Sequence, residues 1–323
     1  MTRTTPPRPL DVTAAFPELA PLARTTVRLH PRAGAPATTD SSIGGPLFWP
    51  ADEPWPTCPE HDGPAHLGHA PDDLRLRRRI LAEAHSRPRA EGADFLTLEE
   101  RTVVDRTTTP RRIPQDGPVP LIPVAQLYAH EVPGLPRPPG TDLLQLLWCP
   151  FDHEGWMPRP ELRWRTTADV IDPLAESAAP HPSVIGRDHY LPEPCVLHPE
   201  PVTEYPAPHE LPEELADRVE EWAEEHGAVY QYDLAVAPGC KVGGHAPWSY
   251  TDPFPMACEE CGSAVRPLLT IDGWECDGGS RGWFPLGDTG SARPTHLSIG
   301  RDHALQLYVC EMSYDHPPLR NIQ

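Results

Sequence analysis

One pattern occurs twice in this chain and restricts its possible folds more than any other feature. Residues 43–63 read IGGPLFWPADEPWPTCPEHDG, and residues 242–262 read VGGHAPWSYTDPFPMACEECG. Each copy runs from an aliphatic residue through Gly-Gly, an aromatic stretch and Pro–aromatic–Pro to two potential metal ligands, then glycine. The ligand pairs are Cys58/His61 and Cys258/Cys261. Gly44 to Cys58 is 14 positions and Gly243 to Cys258 is 15, so one single-residue gap aligns the copies. A repeat of this kind is an architectural signal, whereas two ligands separated by two residues are a chemical one.

Two further elements recur in the same order. The strand-like LIPVAQLY of 121–128 is matched by RPLLTIDG of 266–273. LLQLLWCPFDH of 143–153 is matched by ALQLYVCEMSYDH of 304–316, down to the cysteine, the acidic residue and the closing histidine. Three elements in one order are far harder to obtain by chance than any single match. IGRDH also occurs twice, at 185–189 and 299–303, but on opposite sides of the LQL strand, so it stands outside the duplication.

Composition narrows the fold class. The 46 prolines among 323 residues suppress long helices and favour short strands and turns. Apart from one stretch the periodicity is that of strands: Thr26–His30, Leu121–Tyr128, Leu143–Cys149, and the alternation around Trp164. The exception is 210–226, where Leu211, Leu215, Val219 and Trp222 recur at spacings of three and four, with Gly227 placed to end the helix. The fold class expected is mainly β, α+β at most: an internally duplicated, pseudo-two-fold β roll or sheet architecture with one amphipathic helix at about 210–226. The organisation expected is a flexible lead-in over 1–23, a β-rich half over 24–165, an irregular linker plus helix over 166–228, and a second β-rich half over 229–323. The halves are expected to form one compact unit. Within the first half, 72–117 reads as a partly helical or disordered insertion, and its Arg75–Arg79 cluster as a solvated helix face.

Net charge is −20. Such a surface repels a phosphate backbone, which argues against sequence-independent nucleic-acid binding and favours a basic protein partner, for example a toxin or nuclease held inactive. No apolar run approaches the roughly 18 residues of a membrane span, and MTRTTPPRPLDVTAAF has no apolar signal region. The expected compartment is the cytoplasm, where eight cysteines serve as thiols or metal ligands and not as disulfides. A single lysine, Lys241, among 27 basic residues, with abundant Ala and Pro, fits a high-GC bacterial gene.

The chain resembles the YwqG-like proteins, a bacterial group of unknown function. The residues that carry the resemblance are Lys241-Val242-Gly243-Gly244 with the Pro/aromatic run after it, Val124–Leu127 (VAQL) before a Leu-Pro-rich turn and LLQLLW, and Gly287-Asp288-x-Gly290. It covers about 40–60, 118–165 and 229–312, and the chain departs from the family pattern at 72–117 and around 275–295. The resemblance implies a mostly β, roll-like fold with internal duplication and supplies no activity.

For a metal, each Cys-x-x-Cys/His pair is half of a tetrahedral zinc site. One arrangement unites Cys58, His61, Cys258 and Cys261 on a single ion across a pseudo-two-fold. A second closes Cys58 and His61 with His66 and His69, and a third closes Cys258 and Cys261 with Cys240 and Cys276. Zinc held by four protein ligands stabilises a fold but offers no open position for catalysis. The glycine pairs precede proline and aromatics instead of a helix, so they read as turns and not as phosphate cradles. Asp288-Thr289-Gly290 has no second copy to share a proton with, so it reads as a turn and not as an aspartic protease motif. Cys149 and Cys310 end equivalent strands with no recognisable base beside them in sequence. The function expected is a binding or interaction module stabilised by structural zinc. The alternative is a hydrolytic or metal-assisted enzyme working in a cleft between the halves, where Asp288, Lys241 and His245 would meet.

Overall fold

The computed structural model describes residues 4–90, 92–287 and 290–323, so Asp288 and Thr289 lie outside the described residues. The strands in chain order are β1 (Arg24–Arg28), β2 (Arg32–Ala33), β3 (Ser42–Ile43), β4 (Thr57–Asp62), β5 (Ala65–Gly68), β6 (Arg111–Pro114), β7 (Pro118–Pro120), β8 (Ile122–Tyr128), β9 (Leu143–Trp148), β10 (Pro160–Arg165), β11 (Cys195–Val196), β12 (Glu200–Glu204), β13 (Lys241–Gly243), β14 (Val265–Ile271), β15 (Leu305–Cys310) and β16 (Leu319–Ile322). The α-helices are α1 (Val12–Ala15), α2 (Pro71–Ser86), α3 (Leu98–Thr108) and α4 (Glu213–Glu225). The protein is mainly β, built on two antiparallel six-stranded sheets in the orders β12-β1-β13-β14-β15-β16 and β10-β9-β8-β3-β11-β2.

The two sheets share details that a generic meander would not. In one ladder Pro123 faces Leu147 and the register slips directly afterwards, leaving Val124 as the extra residue. In the other, Pro267 faces Tyr308 and the register slips in the same way past Leu268. Proline has no N–H to give a ladder, so each strand breaks at that point with a bulge. The glycine pairs stand at the ends of the short strands β3 and β13, and Gly44 and Gly243 adopt φ of 67° and 70°. The turn expected at those positions is therefore present, and it favours glycine.

The order of the outer strands crosses the boundary expected between the halves. β1 lies beside β13 with β12 outside it, while β11 lies beside β3 with β2 outside it. Thus β1 and β2, neighbours in sequence, enter different sheets, and so do β11 and β12. The link between β1 and β2 contains Leu29-His30-Pro31, and that between β11 and β12 is Leu197-His198-Pro199. The two links bond in equivalent ways, Leu29 N–H to the Cys240 carbonyl at 2.8 Å and Leu197 N–H to the Ser41 carbonyl at 3.3 Å.

Alternation along the central strands decides what each face carries. Leu144, Leu146 and Trp148 of β9 and Leu305, Leu307 and Val309 of β15 join one apolar cluster that spans both sheets. The opposite face of β9 presents Gln145 and Leu147, and Cys149 continues it. On β15 the same face presents Gln306, Tyr308 and Cys310.

Three expectations are corrected. Residues 12–22 are not a loose lead-in: Asp11 caps α1, and Val12, Phe16 and Leu19 are buried against α4 through Val219 and its neighbours. The segment 166–228 is not only a linker, since β11 and β12 belong to the two sheets. The Arg75–Arg79 cluster is not a uniformly solvated face. Arg77 pairs with Asp188, and Arg78 donates to Glu193 at 2.8 Å and to the carbonyls of Asp188 and Leu191, which fastens α2 to the core. The amphipathic helix forms over Glu213–Glu225, with Leu211 buried just before it and Gly227 at φ 74° after it.

Candidate metal centres

Each sequence-predicted ligand pair sits on a local turn that brings its two side chains together. In β4 the register against β7 jumps from Cys58 opposite Val119 to Asp62 opposite Pro118, so residues 59–61 bulge outward and return His61 to Cys58. In the second pair, Cys258 N–H bonds to the Ser263 carbonyl and Gly262 N–H, at 2.7 Å, to the Cys258 carbonyl. Gly262 takes φ 71°, which closes a tight knuckle with Cys258 and Cys261 on it.

The pairs do not meet each other. Cys58 and His61 converge with Cys149 and His153, and Cys258 and Cys261 converge with Cys310 and His316. The quartet of Cys58, His61, Cys258 and Cys261 is therefore divided between two centres. The reason is topological: the chain leaving β9 meets β4, and the chain leaving β15 meets the 258–262 knuckle, so each pair is completed from the end of a different six-stranded sheet. His66 stays beside the first centre, its ring 5.3 Å from Phe151, without joining the ligand group. His69 is buried with Nδ1 3.2 Å from the Thr107 carbonyl. The Cys240 thiol donates to the Asp272 carbonyl at 3.3 Å, and Cys276 is buried away from the knuckle, lining a cavity of about 160 Å³ with Asp272, Trp274 and His303.

The geometry is that of a compact four-donor site. In each group all four donor atoms lie within 4.8 Å of one another. Cys58 Sγ is 3.3 Å from His61 Nδ1 and 3.6 Å from His153 Nε2, and Cys149 Sγ is 3.5 Å from His61 Nδ1. In the second group Cys258 Sγ is 3.4 Å from His316 Nδ1, and Cys261 Sγ is 3.5 Å from Cys310 Sγ. A zinc tetrahedron with ordinary bond lengths has S···N and S···S edges of about 3.5–3.8 Å, so both groups have the right size for one ion. The donor sets, two sulfurs with two nitrogens and three sulfurs with one nitrogen, are those that favour zinc over harder cations.

The surroundings support ligation. At the first centre His153 Nδ1 lies 3.0 Å from Glu60, whose other oxygen accepts from Arg159 at 3.0 Å, an arrangement that aims Nε2 at the cysteines. His61 stacks on Phe151 at 4.5 Å. Gly186 of the first IGRDH leaves room for that ring, because a Cβ there would stand 2.1 Å from it. The hydrogen bond from the Cys149 thiol holds Cys58 as a thiolate, down to about 3, while that bond and burial push Cys149 up. Hydrogen bonds from Ser263 bring Cys261 down to about 6. Burial opposes charge on His153, but contacts with Cys58 and Glu60 outweigh it and raise its pKa, and the Cys310 sulfur raises His316. Each group without metal thus pairs thiolate with a proton that an incoming cation displaces.

Sequence reasoning missed Cys149, His153, Cys310 and His316 as ligands. The signal was present: the cysteine and closing histidine recur after both LQL strands. They differ in spacing, four residues against six, and so fit no single motif.

Of the catalytic candidates, Lys241 and His245 lie among the described residues. Lys241 is buried, its Nζ 2.6 Å from Glu204 Oε1 and donating to the His245 carbonyl at 2.9 Å. The Glu204 carboxylate also accepts the N–H groups of Ala237 and His245. His245 Nε2 lies 3.1 Å from the Leu22 carbonyl. Compared with known proteins, the chain matches no family model and no curated protein.

Proposed function

We propose that this protein is an interaction module made of two copies of one zinc-stapled unit, which exchange their outer strands to form a single body. One observation carries the reading: two four-donor Cys/His groups occupy corresponding positions, each between a ligand pair after the Gly-Gly turn and the end of the LQL strand. Further support comes from the matching proline bulges, glycine turns and Leu-His-Pro links in the two sheets. On this reading both ions are structural, since four protein ligands leave no position for water or substrate. The −20 charge favours a basic protein as the partner. The resemblance to the YwqG-like proteins belongs to the same proposal.

Metal analysis tests it. The purified chain is expected to hold two zinc ions, and Cys149→Ser and Cys310→Ser are each expected to hold one. Loss of both ions from either variant, or no zinc in the unaltered chain, would sink the two-centre reading. Cobalt substitution addresses the enzyme alternative. Closed centres give tetrahedral thiolate spectra that added azide leaves unchanged, whereas a spectrum that responds to azide means an open position and favours metal-assisted catalysis.

A further inference from the structure

Resting on the reading of both groups as zinc centres, we infer that the second is a peroxide-responsive site that releases its ion on oxidation, while the first retains its own. The two differ in access. Cys58 and Cys149 are 1 % and 0 % exposed. They lie in an apolar cluster with Trp49, Leu121 and Leu147 and are screened by the stacked rings of His61 and Phe151. Cys261, in contrast, is exposed, on a knuckle flanked by exposed Glu259 and Glu260. A Cβ built on the adjoining Gly262 would meet nothing within 4 Å, so the knuckle faces open space.

They also differ in support. His153 is held by Glu60, itself fixed by Arg159, whereas no carboxylate holds His316 among the described residues. Three thiolates share the second centre, and Cys261 Sγ lies 3.5 Å from Cys310 Sγ, close enough for one sulfur to attack the other once it is oxidised. Exposure and a neighbouring thiol to resolve the product are what distinguish a redox-responsive cysteine from an inert one.

The chemistry balances with hydrogen peroxide as the oxidant. The Cys261 thiolate attacks one peroxide oxygen, the O–O bond breaks, and the departing hydroxide takes a proton to become water. The resulting sulfenic acid is attacked at sulfur by the Cys310 thiolate. An S–S bond forms, the S–O bond breaks, and a second hydroxide leaves and is protonated to water. Two thiolates, one peroxide and two protons become one disulfide and two waters. Left with only Cys258 and His316, the zinc dissociates.

The test uses the full chain loaded with zinc, treated with hydrogen peroxide in the presence of a chromogenic chelator, with peptide mapping of the products. The expected result is release of one of the two equivalents at least about tenfold faster than the other, together with a Cys261–Cys310 disulfide, both reversed by reductant and added zinc. In Cys58→Ser the single remaining ion should leave as fast as the labile one, and in Cys261→Ser any remaining ion should resist. Two zinc ions released together, release of neither, or a Cys58–Cys149 disulfide first would overturn this inference alone. A chain holding fewer than two zinc ions before oxidation would overturn the two-centre reading and this inference with it.

Discussion

Lys241 shows how a residue that stands out in sequence can serve the fold. It is the single lysine of the chain and stands just before a glycine pair, which in sequence makes it a catalytic candidate. Its ammonium lies against Glu204, which is 0 % exposed, and that carboxylate also receives the backbone N–H groups of Ala237 and of His245, directly after the Gly-Gly turn. Burial lowers the lysine's pKa, and the Glu204 charge opposes that shift. Removing one member of a buried pair leaves the other charge uncompensated, so Lys241→Met is expected to cost roughly 3–5 kcal/mol in denaturant unfolding. Adding Glu204→Gln to Lys241→Met is expected to recover part of that loss. A neutral effect of Lys241→Met would mean that the pair is dispensable.

At the scale of elements, the strongly periodic segments were legible and the polar-decorated ones were not. β8, β9, β14 and β15 lie where their apolar runs predict, because buried runs flanked by turns have few other solutions. α4 follows its 3–4 spacing. The packing of the lead-in and of the arginine face of α2 differs from expectation, because their anchoring groups are few or polar and their partners are distant in sequence. Arg78 joins α2 to residues more than a hundred positions away. Arg78→Ala is therefore expected to loosen α2 locally, with amides of that helix exchanging about tenfold faster or more while the sheets keep their protection. Uniform loss of protection would show instead that α2 is integral to the core.

At the scale of the molecule, β1 and β2, and likewise β11 and β12, divide between the two sheets, so segments distant in sequence depend on each other. A fragment ending near residue 165 lacks β11, which sits between β3 and β2 in its sheet. A fragment beginning near 195 lacks β1, which sits between β12 and β13. Neither fragment is expected to give a cooperative unfolding transition alone, even with zinc, whereas the two mixed during refolding are expected to recover one. Independent folding of either fragment would show that β1, β2, β11 and β12 are accessory.

The sequence alone determined the features that local physics controls: strands where apolar residues run or alternate, a helix where they recur at three and four, glycine turns at positive φ, and ligand pairs held two residues apart. It also carried the order of repeated elements. Tertiary structure decided which ligands complete each centre and which strands adjoin. Cys58 and His153 are 95 positions apart and come together because the chain leaving β9 returns to the β4 turn. Half of each candidate ligand group is a local turn, readable from spacing. The other half depends on register and strand order, where many pairings satisfy the same local pattern and only the packing of the whole sheet selects one.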